Sequence, residues 1–187
     1  MSRGSRMSQG GLNMDQDSQQ ALLKRLQQVE DLEAIKRLKA KYFWALDNKL
    51  WDMWGSVFTE DVEADFSDDF SRLAGRPVNG LIKGRENLVR IISYAMPQAF
   101  ISVHQGHMPQ IDITGPDTAK GVWQLHDFLD DGERQQTGFG HYFEEYVRQD
   151  GQWLIKRYAE KRLFVEWTTK ELGPPKRLRE LFEKVPA

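Results

Sequence analysis

Residues 102–127, SVHQGHMPQIDITGPDTAKGVWQLHD, read as two strands joined by a tight turn, and this reading decides the class of the fold. Gly115, Pro116 and Asp117 interrupt the pattern as a turn does, while Ile111 and Ile113 before them and Val122, Trp123 and Leu125 after them supply strand-forming bulk. Three of the four histidines fall in this stretch. Antiparallel pairing about the turn brings His104, near its start, and Asp127, at its end, toward the same end of the sheet, which is an acid/base arrangement in outline.

Working outward, the stretch belongs to four strand-like runs, at 100–114, 118–130, 133–148 and 152–167. They are separated by turns at Gly115-Pro116, Asp131-Gly132 and Asp150-Gly151, of which the last two carry the Asp-Gly signal of tight hairpins. Upstream the periodicity changes from two to between three and four. Leu22, Leu26, Val29, Leu32, Ile35, Leu38 and Tyr42 mark one long amphipathic helix, with Asp17 or Ser18 as N-cap and an end at Asp47-Asn48. Trp51, Asp52, Trp54 and Phe58 suggest a short second helix, 63–66 a brief strand and 67–79 a loop rich in Ser, Asp, Gly and Pro. A third helix at 85–95 starts after Gly84 and stops before Pro97. Helices followed by an antiparallel meander predict an α+β architecture with three helices packed on one face of a curved antiparallel sheet.

The chain has 187 residues and 40% hydrophobic content, the size of one domain with a full core. Residues 1–17, polar and rich in Ser, Gly and Gln, read as a disordered lead in which Met7 and Met14 offer later starts. The domain proper is expected over 18–170, and 171–187 as a tail in which Pro174-Pro175 precedes a short amphipathic helix. The lead lacks a signal-peptide h-region, and no run is long enough to cross a bilayer, so no membrane partner is expected. A net charge of −2 with dispersed basic residues argues against a nucleic-acid partner. The absence of Cys removes disulfides, thiolate nucleophiles and thiolate metal sites together, and the expected compartment is the cytoplasm.

Asp47 stands out on electrostatic grounds, because the macrodipole disfavours an anion at the carboxyl end of a helix. It reads equally as a turn residue and as a carboxylate held at a pocket mouth. Tyr42 lies about 140° round the helix from it, so the two share a face only loosely, and Tyr42 by itself reads as a core aromatic. Strict alternation back from Ile111 and Ile113 puts His107, not His104, on their face, and a β-bulge near Gly106 and Pro109 would reverse that choice. On the next strand Trp123, Leu125 and Asp127 share parity, so an ionisable group continues an apolar face. His104, His107, Asp47 and Asp127 lack any metal-binding spacing, and neither GxSxG nor a phosphate-binding glycine motif occurs. No metal or cofactor is expected.

The ordered set AIKRLKAKYFWALDNKLWDMWGSVFTEDVEADF, GRENLV, SVHQGHMPQIDI, WQLHDFL and GFGHYFEEYVRQDGQWLIKR resembles the SnoaL-like branch of the nuclear transport factor 2 superfamily, over about 31–167. That cone-shaped fold also holds scytalone dehydratase, bile acid 7-alpha dehydratase and ketosteroid isomerase. The resemblance places Tyr42 and Asp47 on the catalytic Tyr and Asp of the dehydratases, His104 on their strand histidine, and Asp127 on the second-strand acid of the bile acid enzyme. Arg162 corresponds to a last-strand arginine; His107 and His141 have no counterpart in the dehydratase set and, with Trp123 and Tyr142, are expected to line the pocket. The resemblance implies a lyase without cofactor, most simply a dehydratase with a His-Asp dyad acting on a hydrophobic aromatic or steroid-like ring, and a homodimer or higher oligomer. Expulsion of halide or formaldehyde, double-bond isomerisation, and ligand binding without turnover are the alternatives within the same fold.

Overall fold

A computed structural model describes residues 15–169, so the expectations for 1–14 and for the tail from 170 onward lie outside the described residues. Helix α1 (Gln16–Asp47) starts two residues earlier than its sequence signal, because Asp15 is the N-cap and accepts the Ser18 amide at 2.8 Å. The helix buries Asp31, Ile35, Lys39, Tyr42, Ala45 and Leu46, one stripe at helical spacing. Its N-terminal half is solvent-exposed, Leu22, Leu26 and Val29 included.

After α1 come α2 (Trp51–Gly55), β1 (Phe58–Asp65), α3 (Ser67–Ala74), β2 (Leu81–Lys83) and α4 (Arg85–Ala95). Four long strands follow: β3 (Ile101–Gly115), β4 (Thr118–Asp130), β5 (Arg134–Gln149) and β6 (Gln152–Thr169). The expected loop at 67–79 is thus in part a helix, α3, whose C-cap Gly75 takes φ +64° as left-handed caps do. The signal was masked because α3 buries no residue and reads as polar.

The six strands form one sheet in the order β2-β1-β6-β5-β4-β3. The last four strands are the antiparallel meander read from the turns, and Asp150 and Gly151 take φ +50° and +76° as a tight Asp-Gly hairpin requires. The sheet is not antiparallel throughout, however. β1 pairs parallel to β6, which closes the chain back on itself and makes the sheet mixed. The inner face, under α1, carries Trp123, Leu125, Tyr142, Tyr146, Ile155 and Tyr158 into a core shared with Tyr42, Trp54 and Phe58. The result is an α+β cone with helices over one face of a curved, unclosed sheet.

Bulges in β3 and β6 set which side chains enter the cone. In β3 the pairing slips between His107 and Gln110, where Met108 takes φ +42°, so Ser102, His104 and Gly106 share the inner face with Ile111 and Ile113. In β6 the slip at Glu145/Tyr146 moves the inner face from Trp153 and Ile155 onto Tyr158, Glu160 and Arg162.

Candidate active site

The end of α1 meets the start of β3 through Asp47. Its Oδ1 lies 2.6 Å from His104 Nδ1 and accepts the Ser102 hydroxyl at 2.9 Å, while Oδ2 accepts the His104 amide at 2.9 Å. These donors offset the unfavourable helix end, whose last turn carries no basic residue. Lys49 adds its charge nearby, donating to Ser102 Oγ at 2.7 Å. With Nδ1 engaged, Nε2 is the nitrogen that His104 offers to a cavity of about 610 Å³.

Tyr42 and His104 both line this cavity, beside apolar walls from Trp54, Phe66 and Trp167 and a rim from α3. The Tyr42 hydroxyl lies 3.2 Å from that of Tyr158, which bonds in turn to Glu160 Oε1. Burial, with the charges of Glu160, Glu144 and Asp47, raises the Tyr42 pKa well above that of an ordinary phenol, so the group is a donor.

Arg162 lines the cavity but has no free fork. Nε bonds Asp69 at 2.8 Å, NH1 bonds Asp127 at 2.7 Å and NH2 bonds Glu160 at 3.1 Å. Burial opposes its charge, yet the three carboxylates outweigh burial and hold its pKa above the usual guanidinium value. Gly138 makes room for this cluster, because a Cβ there would stand 2.5 Å from Asp127 Oδ1 and 2.7 Å from Arg162 NH1. Asp127 is therefore the support of Arg162 from behind: it does not line the cavity, and its carboxylate bonds Arg162 rather than the ring of His104, its ladder partner.

A model of the SnoaL-like domain matches residues 27–159, well over half of the chain. The chain belongs to the SnoaL-like family. Among solved structures, this SnoaL-like chain is similar to a candidate scytalone dehydratase from Novosphingobium aromaticivorans, at 21% identity and TM-score 0.65 over 74% of this chain and 88% of that one. It is also similar to the hexachlorocyclohexane dehydrochlorinase LinA-type3 of Novosphingobium barchaimii, at 18% identity and TM-score 0.64 over 81% and 99% of the two chains. A Mycobacterium tuberculosis protein of unknown function matches at 22% identity and TM-score 0.61 over 73% of each chain.

Four expected pocket residues of the SnoaL-like chain lie elsewhere. His107 and His141 face outward by strand alternation, each opposite Gln124, and His107 bonds Gln105 Oε1 at 3.1 Å. Trp123 and Tyr142 face inward but are buried beneath the cavity. Trp123 donates to the Tyr146 hydroxyl at 2.8 Å, and Tyr142 packs 5.7 Å from the Tyr158 ring. Tyr158, Glu160 and Asp69 were missed, since strict alternation from Trp153 and Ile155 turns the first two outward and Asp69 sits in an apparent loop. Lys39 and Glu144, ion-paired in the core, were hidden by their polarity. Among the described residues no group of three His, Asp or Glu is placed to hold a metal.

Proposed function

We propose that this SnoaL-like chain is a cofactor-independent lyase that performs acid/base elimination on a hydrophobic aromatic or steroid-like ring, most simply the removal of water. The observation that carries this reading is the Asp47–His104 pair at the wall of a cavity with aromatic and aliphatic sides that Tyr42 also lines. Asp47 accepts the Nδ1 proton and so fixes the tautomer that leaves Nε2 unprotonated. His104 Nε2 then removes a substrate proton as general base and returns it to the departing hydroxyl. Tyr42 donates to the oxyanion that develops, and the burial of its hydroxyl strengthens that bond. Arg162, neutralised by its three carboxylates, holds the floor of the site and does not act as an anion clamp.

The reading agrees with a family in which solved neighbours carry dehydratase and dehydrochlorinase names. The same base could expel halide or formaldehyde or shift a double bond, and a non-catalytic binding module would bind ligand without turnover. The test is incubation with β-hydroxy ring ketones, followed by mass spectrometry for loss of water, with His104→Ala as control. Binding without any turnover across the panel would favour the module. We further propose a homo-oligomer acting in the cytoplasm; Phe139, Phe143 and Phe164 are exposed on the outer sheet face, where a second copy would cover them.

A further inference from the structure

Behind Tyr42 runs a line of oxygens that the elimination scheme leaves unused. Tyr42 meets Tyr158 at 3.2 Å, Tyr158 meets Glu160 Oε1, and Glu160 Oε2 meets Arg162 at 3.1 Å. Glu160 itself lines the cavity and is only 7% exposed. Three carboxylates, Glu160, Asp69 and Asp127, surround the single guanidinium of Arg162, so full ionisation would leave an excess of buried negative charge. Glu160 and Asp69 accept from the same guanidinium, at Nη2 and Nε of Arg162, so a proton on Glu160 relieves the repulsion between two neighbouring buried carboxylates.

We propose that Glu160 and Tyr158 form a proton relay that recharges Tyr42, so that the site converts a ring ketone to its neutral enol and not to a free enolate. The inference rests on the elimination reading and narrows its substrate to a compound whose leaving group stands β to a carbonyl. In the step, His104 Nε2 takes the α-proton and the C–H electron pair becomes the C=C bond. The carbonyl π pair moves to oxygen, which takes the Tyr42 proton. Tyr42 takes the proton of Tyr158, and Tyr158 takes that of Glu160. Expulsion of the β-hydroxyl runs the relay back. The enol O–H pair re-forms the carbonyl π bond, the C=C pair moves to the α–β bond, and the C–O pair leaves with the hydroxyl, which takes the imidazolium proton as water. The enol proton returns through Tyr42 and Tyr158 to Glu160; with a ketone that has no leaving group the imidazolium returns a proton to the α-carbon instead. Both hydroxyls stay neutral throughout, as their burial requires. Burial raises the Glu160 pKa well above that of an ordinary carboxylic acid, opposed by the charge of Arg162 and reinforced by Asp69 and Asp127. The other groups that face it are Tyr42 and Lys39 from α1, Tyr142 across the β5–β6 ladder, and Tyr158 on its own strand.

The experiment follows hydrogen–deuterium exchange at the α-carbon of α-tetralone, a ring ketone with no leaving group, in heavy water by NMR. The wild-type rate should fall at alkaline pH as Glu160 ionises. Glu160→Gln and Tyr158→Phe should each slow exchange by about 10²- to 10⁴-fold and erase that alkaline limb. A slowed variant that keeps the limb, or a wild type without one, overturns the relay. Carbon-13 titration of Glu160, assigned by its loss in Glu160→Gln, is the second arm. Exchange by neither wild type nor variants counts against the elimination reading, and the titration then decides the relay. A Glu160 protonated at neutral pH whose titration shifts in Tyr158→Phe supports it; a Glu160 ionised at neutral pH overturns it.

Discussion

Asp47 Oδ1 and His104 Nδ1 approach to 2.6 Å across 57 residues of sequence, and the contact exists because a bulge at Met108 and Pro109 turns His104 into the cone. The same bulge leaves His107 on the opposite face. His104→Ala should therefore remove the general base and cost about 10²- to 10⁴-fold in rate, whereas His107→Ala should stay within a few-fold of wild type. Asp47→Asn should resemble His104→Ala, because an amide can hold the ring in the wrong tautomer. Rates for the three variants on one substrate, with circular dichroism to confirm folding, make the comparison. A dead His107→Ala beside an active His104→Ala would reject the assignment.

Activity should survive chelation, since the ionisable groups of the site are used up in pairing with one another. Dialysis against a chelator, then assay, is the check. Loss of rate with rescue by one divalent ion would refute it.

The turns and the apolar spacing made most of the fold legible. Three Gly-containing turns bounded the four long strands, and α4 was bracketed by Gly84 and Pro97, because these residues act locally. What alternation could not supply were the bulges of β3 and β6, since an extra residue in a strand is fixed by its partner and not by its own sequence. The candidate site divided along the same line. Asp127 continued the parity of Trp123 and Leu125 and is indeed buried, but its role as the support of Arg162 depends on the β6 bulge. Tyr158 and Glu160 were illegible for that reason. The parallel pairing of β1 with β6 was equally out of reach, as it is a long-range choice made by burial.

A second copy should cover the outer sheet face, where Phe139 and Phe143 are 43% and 44% exposed. Light scattering at micromolar concentration should report a dimer or larger, and Phe139→Glu with Phe143→Glu should return monomer. A wild type that is wholly monomeric would exclude this.

Stability should fall with rising pH through Glu160. Its folded pKa is raised above the ordinary value of 4.5 by burial, so in the window above 4.5 the folded state keeps a proton that the unfolded state has released. The unfolded state then binds fewer protons, and unfolding free energy declines as pH rises toward the folded pKa. Glu160→Gln removes the titration and should flatten this decline. Urea midpoints measured at a series of pH values for both proteins give the slopes, and parallel slopes would show that Glu160 is not the group responsible.

The core ion pair of Lys39 and Glu144 sets the last expectation. The two side chains are 1% and 0% exposed, and Lys39 Nζ lies 3.8 Å from the Tyr142 ring centre and 4.2 Å from that of Tyr42. Burial lowers the Lys39 pKa, opposed by the charge of Glu144, so Lys39 depends on Glu144 to stay ionised. Lys39→Met should cost about 3–5 kcal/mol by leaving Glu144 buried without a cation. Adding Glu144→Gln should restore much of that, because Gln keeps an acceptor for the Tyr146 hydroxyl and carries no charge. Lys120→Ala, which breaks the exposed pair with Glu145, should cost less than about 1 kcal/mol. Chemical denaturation of the four proteins ranks them, and a Lys39→Met variant no weaker than Lys120→Ala would mean that water reaches Glu144.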